Sequence, residues 1–158
     1  MINKHMMSSN SEDWETPQEL YDQLDEHYHF TLDACASHTN HKHSVYFTKE
    51  NDALVHDWFG IVFMNPPYGT VIKKWIAKAW TESMKGHCMV VCLLPARTDT
   101  AWFHDYCTKG KITFLRGRLK FSNSKASAPF PSMIVVFNKN PRPERFIEDK
   151  PFSFDEKK

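Results

Sequence analysis

Asn65, Pro66, Pro67 and Tyr68 stand side by side after an apolar run, in "IVFMNPPYG", and their types suit one kind of chemistry. The two prolines donate no backbone hydrogen bond and hold their φ angles, so the segment leaves its strand as a stiff arch with free carbonyls. The Asn65 side-chain oxygen and the Pro66 carbonyl can together accept both hydrogens of a planar amino group, while the Tyr68 ring can stack on the flat ring bearing that group. An amine conjugated to an aromatic ring is a poor nucleophile. Two aligned acceptors favour the transition state in which its lone pair leaves conjugation and attacks. A strand-ending turn in which Asn caps and Tyr packs would use the same four residues, and the tetrapeptide alone leaves both readings open.

Such an arch needs a sheet to hold it, and the surrounding sequence supplies the signals of one. In "TPQELYDQLDEHY", Thr16 reads as an N-cap, Pro17 as a first-turn residue and Glu19 as the acid three residues after the cap, so a helix begins here with Leu20 and Leu24 on one face. "FTLDA" reads as a short strand and "IVFM" as another. "TVIKKWIAKAWTESMKG" is an amphipathic helix burying Ile72, Trp75, Ile76, Ala79 and Trp80 and ended by Gly86. "CMVVCLLP" has the unbroken apolar run of a central parallel strand, "TAWFHDYC" a short helix, and "KITFLRG" and "SMIVVFN" two further strands. Strands alternating with helices predict an α/β fold: a mostly parallel sheet with helices on both faces and an antiparallel strand at one edge. Ligands bind such sheets at the carboxyl ends of the strands, so "DACAS" (33–37), "NPPYG" (65–69) and "PARTD" (95–99) are expected to line one cleft.

Composition bounds the function class. A chain of 158 residues, 41% hydrophobic and 14% aromatic, suits one domain with its own core, here over residues 14–138, between a flexible polar start (1–13) and a Pro-rich charged tail (139–158). No apolar run approaches the roughly 18 residues of a membrane span, and "MINKHMMSSNSED" lacks the apolar stretch of a secretory signal, so a cytoplasmic protein is expected. Cys35, Cys88, Cys92 and Cys107 are scattered in apolar settings, as reduced buried thiols are, and "SHTNHKH" (His38, His41, His43) reads as a polar loop rather than a metal site. The net charge of +1 hides a split of −8 over residues 1–60 and +9 over 61–158. Arg97, Lys109, Lys111, Arg116, Arg118, Lys120 and Lys125, opposed within that span only by Asp99 and Asp105, make the candidate phosphate-contacting face.

In order along the chain, "DWETPQELYDQL", "TLDACAS", "ENDALVHDW", "MNPPYG", "LLPARTDTAWF", "GRLKF" and "APFPSMIVVF" resemble the phage-type DNA adenine methyltransferase family, over roughly Trp14 to Asn138. "NPPY" after a strand is the motif of class I S-adenosylmethionine-dependent methyltransferases acting on adenine amines, and also of those acting on glutamine side chains. The resemblance implies a Rossmann-like methyltransferase fold and methyl transfer from S-adenosylmethionine to the N6 amine of an adenine flipped out of DNA, with no metal. It implies catalytic roles for Asn65, Pro66, Pro67 and Tyr68 and places Thr16, Pro17, Asp33, Ala34 and Asp52 on the cofactor side, Asp33 near the methionine moiety and Asp52 at the adenine. An acidic first half suits a cationic sulfonium ligand.

The chain departs from the family pattern in two ways. Methyltransferases of this fold usually carry glycines after the first strand, whereas "DACASHTNHKH" has none, so close approach falls to the small Ala34, Ala36 and Ser37. Nor is there a separate target-recognition domain, which leaves selectivity short, loose or supplied by a partner, either a second copy or an accessory subunit. Arg97 is a candidate for positioning phosphate or target base, with an ion pair to Asp99 as the ordinary alternative. Arg118 and Phe121 are candidates for gripping phosphate and stacking on the extruded base, although a strand Phe is ordinarily core. Trp14 either covers the cofactor or closes the first helix. Methylation of RNA adenine or of a protein glutamine, and a nucleic-acid-binding module without turnover, are the alternatives.

Overall fold

The computed structural model describes residues 13–37, 40–48 and 52–140. The expected polar start and charged tail thus lie almost wholly outside the described residues, as does His38. In chain order the elements are α1 (Gln18–Tyr28), β1 (Leu32–Asp33), a 3-10 turn Ala53–Val55, β2 (Gly60–Met64), α2 (Ile72–Met84), β3 (Cys88–Pro95), α3 (Ala101–Asp105), a second 3-10 turn Cys107–Lys109, β4 (Lys111–Phe114) and β5 (Ser132–Phe137). Among the described residues no helix is long and apolar enough to cross a membrane.

The five strands form one sheet in the order β1-β2-β3-β5-β4. β1, β2 and β3 run parallel, and β5 pairs antiparallel with both β3 and β4. The sheet is therefore mixed: the expected parallel set holds for β1, β2 and β3, and the edge strand β4 pairs antiparallel with β5, but β5, which runs against the rest, lies inside the sheet. The side chains explain the order. β5 is buried along nearly its whole length and needs a neighbour on each side, whereas "KITF" in β4 is half-exposed and carries Lys111, a residue that blunts an edge against further pairing. β3, flanked on both sides, buries Val90 to Leu94 completely, as its unbroken apolar run requires.

Helix α1 buries Leu20, Tyr21 and Leu24. Tyr21 and Phe30 meet the Phe63 ring at 5.2 and 5.3 Å, which sets α1 over the face of the sheet that carries Phe63. Its start differs from the expectation: the helix begins at Gln18 with Pro17 at the cap position, and no side chain caps it. The Thr16 hydroxyl has another partner, described below. In α2, Ile72, Ile76 and Ala79 are buried at helical spacing, while Trp75 and Trp80 stay half-buried against the core. Glu82, also buried, accepts from the Trp58 backbone N–H at 2.7 Å and pairs with Lys78 at 3.3 Å and Lys85 at 2.5 Å, so α2 holds the segment leading into β2. Gly60 opens β2 at φ +82°, hard against Thr31, where a Cβ would find no room.

Candidate active site

Parallel register brings two of the three expected loops together. Asp33 pairs with Phe63 and Met64 with Cys92, so β1 and β2 end at nearly one level while β3 continues to Pro95, roughly 10 Å farther at ~3.3 Å per residue. A cavity of about 720 Å³ opens at that level, lined by 33–37 and 65–67 together with residues 13–16 and a few from α2 and the loop before β2. That volume is ordinary for a cofactor-sized ligand. "PARTD", three residues higher on β3, is not part of its wall.

Asp33 is 2% exposed at the end of β1. Its carboxylate accepts from the backbone N–H groups of Cys35 at 3.3 Å and Lys42 at 2.8 Å, which folds the glycine-free loop back over the strand end. Burial pushes the Asp33 carboxyl up to about 6, against the pull of those two N–H groups and of the Lys42 and His41 charges. Ala34 follows, its N–H bonded to the Phe63 carbonyl at 3.0 Å, so small side chains face the cavity from the position where glycine would otherwise stand. Asp52 lies on the same wall, exposed, with Oδ1 accepting from the Leu54 N–H at 2.9 Å as the cap of the 3-10 turn. Pro17 is not a wall residue.

At the arch, Asn65 is held from one end. Its Nδ2 donates to the Trp14 carbonyl and, at 2.9 Å, to the Thr16 hydroxyl. With both amide hydrogens committed, Oδ1 faces the other way, and this buried oxygen has no hydrogen-bond partner. A buried acceptor without a donor costs about 1–3 kcal/mol, which singles it out as a place for a ligand's N–H. Pro66 and Pro67 line the cavity beside it. Thr16, 3% exposed, also lines the cavity, but its hydroxyl serves Asn65 where the sequence suggested a helix cap.

Residues 13–16 form a strap held on its other edge by the segment after "GRLKF". Asn123 donates from Nδ2 to the Asp13 carbonyl at 2.7 Å and accepts at Oδ1 from the Glu15 N–H at 3.0 Å. The Ser122 N–H bonds to the Glu15 carbonyl at 2.9 Å, and its hydroxyl to the Thr16 carbonyl at 3.2 Å. Asn123 and Ser122 were not singled out in the sequence; a polar "SNS" reads as a turn, and nothing local shows a partner 110 residues away. Lys42 was missed too, though its backbone ties to Asp33 and its Nζ to the Gln18 side chain at 2.9 Å.

Two expected stacking platforms are instead core. Tyr68 is 2% exposed, its hydroxyl 3.4 Å from the Leu93 carbonyl, and its ring meets Phe130 at 5.5 Å and Phe121 at 6.4 Å. Burial raises the Tyr68 hydroxyl far above its ordinary value, so it stays protonated. Phe121 is fully buried and packs on Trp14 at 5.3 Å. Neither ring faces the cavity; both are large and apolar, and the sheet offers them more burial beneath the arch than at its rim. Trp14, half-buried, lines the cavity and rests edge-on against Phe130 at 5.3 Å. Arg97 is exposed and lies 5.8 Å over the Phe130 ring, and among the described residues it makes no ion pair with Asp99. Arg118 is exposed, as are all seven basic residues of the 97–125 span.

Comparison with known proteins carries this geometry to a family. A DNA N-6-adenine-methyltransferase of Haemophilus phage HP1 (strain HP1c1) is 28% identical over 148 residues, 87% of this chain and 84% of the phage protein. Another, of Escherichia phage T1, is 35% identical over 97 residues, 57% of this chain, which spans 38% of that relative's length. A family model described as DNA N-6-adenine-methyltransferase (Dam) matches residues 3–152, a span that contains the arch, the strap and the cavity they enclose. The chain with this orphaned acceptor at the end of β2 belongs to the DNA N-6-adenine-methyltransferase (Dam) family.

Proposed function

We propose that this DNA N6-adenine methyltransferase works in the cavity at the carboxyl ends of β1 and β2, on a Rossmann-like sheet, moving a methyl group from S-adenosylmethionine to the N6 amine of an adenine in DNA. The observation that carries the reading is the buried, unpartnered Asn65 Oδ1; the carbonyl of the next wall residue, Pro66, is the second acceptor of the proposal. Together they accept the two amine hydrogens and favour the pyramidal nitrogen whose lone pair attacks. Tyr68 and Phe121 act from beneath, as the packed floor on which Pro66 and Pro67 stand.

The cavity wall fits the cofactor chemically: Asp13, Glu15, Asp33 and Asp52 outnumber Lys42 and Lys74, as a cationic ligand favours, and Ala34 and Ala36 permit close approach. When bound, S-adenosylmethionine supplies an electrophilic methyl carbon on a sulfonium. Asp33 and Ala34 hold the methionine side and Asp52 the adenine side, with Thr16 between them and the arch and Pro17 behind it at the cap position of α1. Arg97 and Arg118, exposed outside the cavity, contact DNA phosphates, and the adenine enters flipped from the duplex, at an unstacking cost of a few kcal/mol. A labelled-methyl assay offering DNA, RNA and protein separately tests the reading: label in DNA adenine is expected, and label in RNA or glutamine alone would overturn it.

A further inference from the structure

We propose that Thr16 is a positioning residue for methyl transfer, and that Asn123 sets it in place through the strap. The proposal rests on the reading of Asn65 as the acceptor of the target amine. An asparagine amide is nearly symmetric in shape, so packing alone does not choose which end faces a cavity. Here the choice is made by two acceptors on one short segment, the Trp14 carbonyl and the Thr16 hydroxyl, which take both hydrogens of Nδ2 and leave Oδ1, the other end of this cavity-wall residue's amide, buried without a donor. A reversed amide would set its oxygen against the Trp14 carbonyl and offer hydrogens, instead of an acceptor, to an incoming amine.

The strap has no regular structure of its own. Its position depends on Asn123, which grips the backbone at Asp13 and Glu15 from both ends of its amide, and on Ser122, which bonds to the carbonyls of Glu15 and Thr16. Asn123 is exposed, far in sequence from the arch, and two residues after Phe121, on which Trp14 packs. It follows the exposed Arg118 and Lys120 within a few residues, so the segment that carries candidate phosphate contacts also holds the part that orients Asn65.

The experiment measures single-turnover methylation of DNA and calorimetric S-adenosylmethionine affinity for Thr16→Val, Thr16→Ser, Asn123→Ala, Asn65→Ala and the double variant Thr16→Val/Asn65→Ala. Thr16→Val is expected to slow the saturated rate on the order of 10-fold, the scale of one lost buried hydrogen bond, with cofactor affinity within about 2-fold of wild type. Thr16→Ser, which keeps the hydroxyl, should restore most of the rate. Asn123→Ala, at an exposed position, should slow the same step several-fold. Because Thr16 acts through Asn65, Thr16→Val should cost nothing further once Asn65 is Ala. A cofactor contact would weaken affinity instead, and a merely structural role would add its loss in the double variant; either result overturns the proposal. If Asn65→Ala is slow while Thr16→Val and Asn123→Ala run at the wild-type rate, the positioning role falls and the Asn65 reading stands. If Asn65→Ala is itself as fast as wild type, both fall.

Discussion

The Thr16 hydroxyl lies 2.9 Å from Asn65 Nδ2, and the oxygen at the other end of that amide is buried with no donor. The two facts are one arrangement: a side chain anchored by its hydrogens presents its acceptor. The residue at the start of the domain and the arch after β2 therefore form a single site.

The first prediction is that Asn65→Ala folds, binds S-adenosylmethionine and loses turnover on the order of 100-fold or more, as when a positioned electrostatic group is removed. Losing its bonds to the strap should also lower stability by about 1–2 kcal/mol. Circular dichroism melts beside single-turnover methylation check both, and a wild-type rate would refute the assignment.

Asp33 should make cofactor binding sensitive to pH. Its carboxyl is raised to about 6 by burial. Above that pH it is ionised and attracts a cation; as pH falls through 6 it takes up a proton and the attraction is lost, so affinity should drop by up to about 10-fold per pH unit. For stability the sign is opposite. A raised carboxyl favours the fold below its ordinary value near 4, and that contribution is lost as pH rises toward 6. Asp33→Asn should abolish the pH step in calorimetric titration between pH 5 and 7, with weaker binding throughout; a persisting step would assign it to another group.

Tyr68 separates a packed floor from a stacking platform. Its hydroxyl makes one long bond, so Tyr68→Phe should cost under about 1 kcal/mol and keep the activity. Tyr68→Ala removes a ring buried against Phe121 and Phe130 and should cost about 3–5 kcal/mol, visible as a large fall in melting temperature. A folded, equally stable Tyr68→Ala variant that fails only to flip 2-aminopurine DNA would restore the platform.

Salt should report the basic face. Lys111, Arg116, Arg118 and Lys120 are exposed, and Lys109, exposed as well, lies 4.7 Å over the Trp80 ring. Each charge removed from a phosphate contact should flatten the log–log salt dependence of DNA affinity by roughly 0.9. Fluorescence anisotropy between low and moderate salt measures it, and an unchanged slope in the fourfold variant would move the face elsewhere.

Glu82 offers a test of the scaffold. Its removal leaves the Trp58 N–H without its acceptor and Lys78 without its counter-charge, while Lys85 keeps Asp57 at 3.0 Å, so Glu82→Ala should destabilise by about 3 kcal/mol. Thermal melts check this, and a loss under about 0.5 kcal/mol would mean the pair contributes no net stability.

What lay open in the sequence was whatever neighbouring residues decide among themselves. The unbroken apolar run of β3, the 3-4 spacing of Ile72, Ile76 and Ala79, the prolines that stiffen the arch and the acid ending β1 are local patterns, and each element appears where its pattern predicts. The resemblance carried by "NPPY" and its ordered companions extended that reading to a chemistry. The tertiary structure decided what depends on partners remote in the chain. Thr16 looked like a helix cap because caps are judged from the next three residues, yet its hydroxyl meets Asn65, 49 residues on. Tyr68 and Phe121 looked like platforms because an aromatic ring reads alike in a pocket or a core, and only the packing of Phe130 and Trp14 turned them inward. Which of β4 and β5 takes the edge was not legible, because order within a sheet is not a local property. It is set by which strand can bury both its faces between neighbours, and that competition is resolved only when the whole sheet forms.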